Sequence, residues 1–515
     1  MKRILSLMLT LMMFMSVINI ANAEEMTNPW KDLDLSEYKE INMIIPGNKP
    51  AAFDEIIETV NVRMKELINT KINIDFVSYG EFGTKLSLFL GSDDYDLVYG
   101  AYWFNFGDYV NNGGYTGFDW DFVEKYMPMT AKTQAPVSWR EMKYGDKYYG
   151  ITNNICSISA TGVWTRQSIL DKYGFKAEDI KNGENLEKLM DAIAADTAAT
   201  GIYVFNAQGT YPLDTTYWFT YKNHMMDVNC GTANWLVWKY NTGKEFSTED
   251  LHWFATTDEY RQFCLKMAEF YKKGYFPASV ISNYTMVDDN FLAGTSALNF
   301  GVPASLDSLL QNIKNDTPVF LNCLWDDECV TRRGNYFVYC IGFPPASERN
   351  MTRAATALDV MKNDPIINRL LVFGIEGRHY NLIEDEDGKY YTLGPEATDY
   401  PYFAIGNNAA LQHDTDPKQA LNPAVAMYQK MYEAAEVPAD IFPVNGFNYQ
   451  CNYEAELSAV TALFNEHRFS FAFGIFGDQT EAKLDEFINQ CKAIGIDDIV
   501  NDYRTQLDAF IAEQK

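Results

Sequence analysis

Short apolar runs alternate with longer amphipathic ones over the first hundred residues. Residues 41–45 are apolar at four of five positions and end at Pro46-Gly47, which reads as a strand and a stop. Ile56, Ile57, Val60, Met64, Leu67 and Ile68 then recur at helical spacing, with Asp54 as the expected cap. Residues 72–76 alternate as a second strand. Phe82, Leu86 and Phe89 mark the next helix, stopped at Gly91, and 95–99 are the third strand. Strand and helix in strict alternation predict a parallel sheet with right-handed crossovers. Ligands on such sheets bind beyond the carboxyl ends of the strands. The stretch 100–105, with Tyr102, Trp103 and Asn105, falls at that position.

The pattern continues less regularly. Residues 145–152 read as a hairpin, and 162–174 as a strand turning into a helix that stops at Gly174. From 175 to 290 the chain is mostly helical with aromatic-rich turns, Trp218 among them. Residues 291–301 read as a strand, 336–341 as a strand crossing back, and 352–361 as a helix. At 364–380 Asp364 caps a short helix, Pro365 fits its first turn, and Gly374 ends it. Asp387-Gly388 marks a hairpin turn. Asp478-Gln-Thr-Glu481 reads as a capping box before a helix ending at Gly495, and Asp497 opens a terminal helix.

Charge and composition narrow the function. The 515-residue chain carries a formal charge of −28, which argues against nucleic acid and anionic membrane surfaces as partners. Aromatic residues make up 15% of the chain, more than core packing alone demands, and this suggests a stacking surface. Lys2-Arg3, an apolar run to Ile20 and Ala21-Asn22-Ala23 form an export signal cleaved near Ala23. No later run reaches the ~18 apolar residues of a membrane span. The eight cysteines are scattered; Cys323 and Cys329 are the nearest pair for a disulfide. Five histidines without paired spacing argue against zinc, and no phosphate loop, dinucleotide fingerprint or serine elbow occurs, so no metal or cofactor is expected. The acidic run 384–388 lacks the ligand alternation of a calcium loop and reads as a solvated hairpin tip.

Several of these motifs resemble LipO-like members of the family 1 extracellular solute-binding proteins. The match rests on Gly374-Ile-Glu-Gly-Arg-His-Tyr380, on the C-terminal string 495–510, on the hairpin at 145–152 and on the strand 95–99 leading into aromatic residues. Two departures stand out: Thr152 occupies the position of a usual proline, and no lipid-attachment cysteine follows the signal. The resemblance implies an α/β fold of the two-lobed periplasmic-binding-protein kind (type II-like), with a hinge and a ligand cleft between lobes. After the signal at 1–23, lobe 1 is expected at 38–155 plus 335–400, and lobe 2 at 156–334 plus 401–515. It further implies a non-enzymatic, exported, monomeric component of an ABC importer that captures a carbohydrate, an oligosaccharide in the main reading, and delivers it to membrane permease subunits.

In this reading Trp103 and Trp164 come from opposite lobes and clamp one saccharide. Tyr102, Tyr149 and Trp218 are further stacking candidates; Asn105, Asn153 and Asn299 serve hydroxyls, and Arg378 adds charged hydrogen bonds. A peptide ligand, a sensor ectodomain and a secreted glycoside hydrolase with paired carboxylates are the alternatives.

Overall fold

The computed structural model describes residues 28–101, 104–155, 162–206, 225–227, 236–239, 246–283, 285, 287–301, 313, 316–321, 336–385, 388–401, 405–406, 409–413, 416–419, 447 and 449–514. The expected export signal, Tyr102, Trp103, Trp218 and the Cys323–Cys329 pair lie outside them.

The predicted alternation at the start is present. β1 (Lys39–Pro46), α1 (Phe53–Ile68), β2 (Thr70–Val77), α2 (Tyr79–Gly91) and β3 (Leu97–Ala101) follow in order. β2 and β3 both run parallel to β1, with Met43 opposite Ile74 on one side and Leu97 on the other. Two later segments complete this sheet. β4 (Ile151–Thr152) occupies the far edge, and the returning strand β8 (Tyr339–Gly342) lies between β3 and β4, antiparallel to both. β4 therefore runs in the same direction as β1, β2 and β3. Their carboxyl ends and the start of β8 share one edge.

A second sheet has β5 (Gly162–Arg166) at its centre, flanked by β6 (Asn299–Gly301) and β7 (Pro318–Leu321), both antiparallel to it. The start of β5 and the ends of β6 and β7 again share one edge. The buried apolar residues separate into two clusters. One takes residues from 30–151 and 340–411, the other from 163–321 and 449–507. Ile405 and residues 409–411, which a boundary at 400 assigns to the second lobe, pack in the first cluster.

The block at 364–380 forms as its residues dictate. Asp364 accepts hydrogen bonds from the Ile366 and Ile367 amides at the head of α4 (Pro365–Phe373), which follows α3 (Met351–Asn363). Gly374 ends α4 at φ +82°; a Cβ there would stand 2.5 Å from Nδ1 of His379, which accepts from the Ile375 amide. The hairpin β9 (Tyr380–Asp385) and β10 (Gly388–Leu393) pairs Asp385 with Gly388.

Three local expectations are corrected. Asp54 does not cap α1: Ala52 holds the cap position, and Asp54 pairs with Lys49 at 2.6 Å. As a first-turn acid it still complements the helix dipole. The capping box at 478–481 does not form, because a 3-10 turn at Gly477–Gln479 leads directly into the helix Thr480–Ile494 and leaves Asp478 facing Lys272. The strand expected over 291–301 is confined to Asn299–Gly301. Phe291 instead lies in the helix Val287–Leu292, beneath the Arg166 guanidinium at 4.5 Å, and Gly294 ends that turn at φ +80°.

Candidate functional site

The two sheets are joined edge to edge by the chain itself. One connection runs from the end of β4 at Thr152 to the start of β5 at Gly162. Another runs from the end of β7 at Leu321 to the start of β8 at Tyr339. Each leaves or enters at the shared edge of its sheet. The shorter connection has nine residues between the strands, 153–161, and even fully extended it spans roughly 35 Å. The carboxyl edge of the first sheet is therefore tethered within that reach of the edge of the second where β6 and β7 end.

The first-sheet edge is lined by rings and amides. Tyr99 of β3 is fully buried, and its ring lies 5.6 Å from Phe82 and 6.3 Å from Phe104. Phe104 approaches this closely because position 83 is glycine; a Cβ there would stand 2.8 Å from its ring. Tyr339, the first residue of β8, stacks on Tyr99 at 6.0 Å and 20°. Asn153, just beyond β4, donates from Nδ2 to the Tyr339 hydroxyl at 3.0 Å. Tyr79 opens α2 just beyond β2. Burial raises the Tyr99 phenol far above its ordinary pKa, with the neighbouring Tyr79 and Tyr339 adding to the effect.

Beneath this edge a buried polar network ties the end of β4 to the segment 410–413. The Thr152 carbonyl accepts from Nζ of Lys362 at 2.9 Å, and the same ammonium reaches the Ala410 carbonyl at 3.0 Å. The Thr152 hydroxyl lies 2.6 Å from that of Ser138, and Gln134 donates to both. Asn154 pairs its amide N–H with the Gln412 carbonyl at 2.9 Å and forms a bridge to His413. Burial lowers the Lys362 amine to about 7, against the opposing pull of Asp416 and Asp359. It also lowers His413 to about 4, helped by the neighbouring Lys362 charge. On the re-entry side, Glu141 accepts from the Phe337 amide at 2.6 Å, and burial pushes its carboxyl up to about 7.

The expected site residues separate accordingly. Asn153 stands at the edge. Asn105 follows β3 at φ +55°, a left-handed conformation that asparagine tolerates, and caps the helix Phe106–Asn111 without a side-chain bond. Tyr149 precedes β4 and lies towards the opposite end of the sheet, where its carbonyl would meet a Cβ at Gly342. Trp164 is fully buried, its ring edge-on to Phe320 at 5.0 Å, so it presents no face to a sugar. Asn299 is buried directly across from it in the pairing of β6 with β5. Arg378 is held by Glu55 at 2.9 Å and Glu396 at 2.7 Å, which ties the loop after α4 to α1 and occupies the guanidinium. The resemblance put Trp164 at the entry to the second lobe, and it carried no information on which face of β5 the ring takes. Tyr79 and Tyr339 are absent from the expectations. Position alone was their signal, two residues past the end of β2 and at the head of a crossing strand.

Among the described residues no group of three or more His, Cys, Asp or Glu side chains is arranged to hold a metal. Four cysteines there, Cys264, Cys340, Cys451 and Cys491, are free thiols.

Comparison with known proteins agrees with this architecture. Residues 443–512 match a domain of unknown function, DUF3502. A carbohydrate ABC transporter substrate-binding protein of Streptococcus pneumoniae is 21% identical, covering 95% of this chain and 94% of its own. The crystal structure of an N-glycan transport solute-binding protein from the same organism, NgtS, superposes with a TM-score of 0.71 at 18% identity, over 93% of this chain and all of that one. An HMO-binding solute-binding protein associated with an ABC transporter, from Bifidobacterium longum infantis, gives a TM-score of 0.58 at 13% identity, over 92% of this chain and 99% of that one. The chain has the two-lobed α/β fold of these solute-binding proteins.

Proposed function

We propose that this chain, two-lobed and folded as a solute-binding protein, is the carbohydrate-capturing component of an ABC importer. The observation that carries the reading is the edge-to-edge tethering of the two sheets, with tyrosines and an asparagine gathered on the first-sheet side. Apolar C–H faces of a sugar ring suit aromatic rings, and its hydroxyl rim suits amides and phenols. The named similarity over nearly the whole chain to a carbohydrate transporter's binding protein supports the same ligand class. A neighbour whose crystal structure holds Man5GlcNAc supports an oligosaccharide in particular.

In this reading the protein binds and releases without breaking bonds. The lobes, 38–155 plus 335–412 and 156–334 plus 413–515, close on the ligand by bending where the chain crosses, and the closed form docks on permease subunits. The N-terminal 23 residues direct export and are removed. Among the described residues no helix is long and apolar enough to cross a membrane. Asn153 and Asn105, with Trp103 beyond β3, are the proposed first-lobe contacts retained from the sequence.

The test is a thermal-shift screen of neutral oligosaccharides, including mannose-GlcNAc glycans and fructans, followed by calorimetry on the hits. A ligand that binds only the native state raises the melting temperature by mass action. Stabilisation by an oligosaccharide with no cleavage product on chromatography is the expected result. Stabilisation by extended peptides alone, or appearance of shortened glycans, overturns it.

A further inference from the structure

We infer that Asn61 closes the free edge of the first sheet against a second copy of this chain, whose β2 would otherwise add to β2 antiparallel about a two-fold axis. The inference concerns self-association and stands apart from the ligand reading.

β2 is the outermost strand of its sheet, with β1 on one side and no strand among the described residues on the other. A strand so placed turns every second amide and carbonyl away from the sheet, and such a row is a template for another chain. Near the middle of the row these groups are already taken. Asn61 reaches across from α1 to Ile72. Its Oδ1 accepts from the Ile72 amide at 2.8 Å, and its Nδ2 donates to the Ile72 carbonyl at 3.0 Å. One side-chain amide thus reproduces, at a single position, the donor and acceptor of a neighbouring strand. The groove between α1 and this edge, about 550 Å³, is lined by Tyr38, Ile57, Val62, Ile72 and Ile74 with polar residues between them. Tyr38 and Val62 are 46% and 59% exposed. Apolar side chains flanking an open strand edge favour association, so this edge needs a guard.

The sequence of β2 identifies the copy as the occupant. In Thr70-Lys-Ile-Asn-Ile-Asp-Phe-Val77 the Ile72 amide and carbonyl face outward, and by alternation those of Ile74 do the same. Two β2 strands paired antiparallel about Asn73 set Ile72 of each copy against Ile74 of the other, as hydrogen-bonded pairs. The same register sets Lys71 of each copy against Asp75 of the other, on the more exposed face of the strand. Opposite charges in directly paired positions stabilise, and like charges destabilise. β2 is therefore its own charge complement in this register, although the whole chain carries −28. To pair in this way the second copy needs the Ile72 amide and carbonyl, and Asn61 holds both.

The experiment is sedimentation equilibrium of the full exported chain over a concentration series. Wild type is compared with Asn61→Ala and with Asn61→Leu, which keeps nearly the same volume and is read if the alanine variant loses its cooperative thermal transition. Wild type should stay monomeric, and the Asn61 variants should dimerise at least about tenfold more tightly than any self-association of wild type. Adding Lys71→Glu to the Asn61 variant sets like charges at both ends of the pairing and should weaken the dimer about tenfold. Adding Asp75→Lys as well restores the complement and should return the dimer to within about threefold. Hydrogen exchange on wild type reads the guard directly: the Ile72 amide should be protected at least about tenfold more than that of Ile74. Monomeric Asn61 variants, or a wild type that dimerises as tightly as they do, overturn the inference. Association that ignores the charge exchange also overturns it, because another strand or surface is then the occupant. Equally fast exchange at Ile72 and Ile74 overturns it whatever the variants do.

Discussion

Nζ of Lys362 donates to the backbone carbonyl of Thr152 at 2.9 Å, although the two residues are 210 positions apart. Lys362 lies near the end of α3 and is completely buried. The same atom holds the Ala410 carbonyl, so one side chain fastens the end of β4 to the turn at 409–410. The clamp sits below the proposed hinge.

A pH dependence follows from that burial. The folded amine is held to about 7, whereas the unfolded chain has the ordinary 10.5. Between these values the unfolded chain holds a proton that the folded chain lacks, so stability rises with pH across this window and is lost as pH falls towards 7. Below that both states are protonated and the contribution is flat. Lys362→Met should remove this slope when urea unfolding is compared with wild type between pH 7 and 10. It should also cost about 1–3 kcal/mol at pH 9, because two buried carbonyls lose their donor. An undiminished slope in the variant would show that Lys362 is not the titrating group.

Glu141 gives the opposite sign on the other crossing. Its folded value of about 7 lies above the ordinary 4.5, with burial as the main cause and the Phe337 and Tyr336 amides opposing it. The stabilising contribution is complete below 4.5 and is lost as pH rises to about 7. Glu141→Gln, which cannot ionise, should be less sensitive than wild type over pH 4.5–7 by about 2–3 kcal/mol. Chemical denaturation at four or five pH values across that range measures the difference.

Asp364 joins two roles that the sequence reveals only in part. Its cap to Ile366 and Ile367 was legible from Asp-Pro at the head of an apolar stripe. Its pairing with Arg63 of α1, 301 positions away at 2.6 Å and 2.8 Å, was not. Asp364→Ala removes both and leaves a partly buried guanidinium without its carboxylate. Loss of about 3 kcal/mol is expected from urea midpoints, against about 1 kcal/mol for Asp364→Asn, which retains a cap.

The same contrast runs through the fold. The parallel βαβαβ start was legible because each element carries its own period and its own stop: the alternation at 72–76, the helical spacing from Ile56 to Ile68, the glycine at 91. The placement of β8 between β3 and β4 was not, since Tyr339 opposite Ala101 is a pairing across 238 positions that no local pattern encodes. The capping box at 478–481 failed for a related reason. The four residue types were right, but Gly477–Gln479 took up a 3-10 turn first and moved the cap by one residue, from Asp478 to Gln479. At the site, Asn153 was reachable because it follows a recognisable hairpin. Tyr79 became visible only once the shared edge of the sheet was known.

Trp164 tests most sharply where residue type and spatial position disagree. As a tryptophan at the entry to the second lobe it is the natural sugar-stacking candidate, and as a buried residue of a central strand it is core. Its ring is fully covered and packs edge-on to Phe320, and its backbone pairs with both Asn299 and Phe320. Removing the whole side chain in Trp164→Ala should cost about 3–5 kcal/mol of stability, the range for emptying a large aromatic site. Trp164→Phe leaves a smaller void and should cost less, about 1–3 kcal/mol. The variant that separates the two roles is therefore Trp164→Phe, folded and titrated with the best oligosaccharide well below its melting temperature. Affinity equal to wild type with a lowered thermal transition marks Trp164 as packing. A loss of affinity of tenfold or more with an unchanged transition would instead return the ring to the cleft, and with it the clamp between the two lobes.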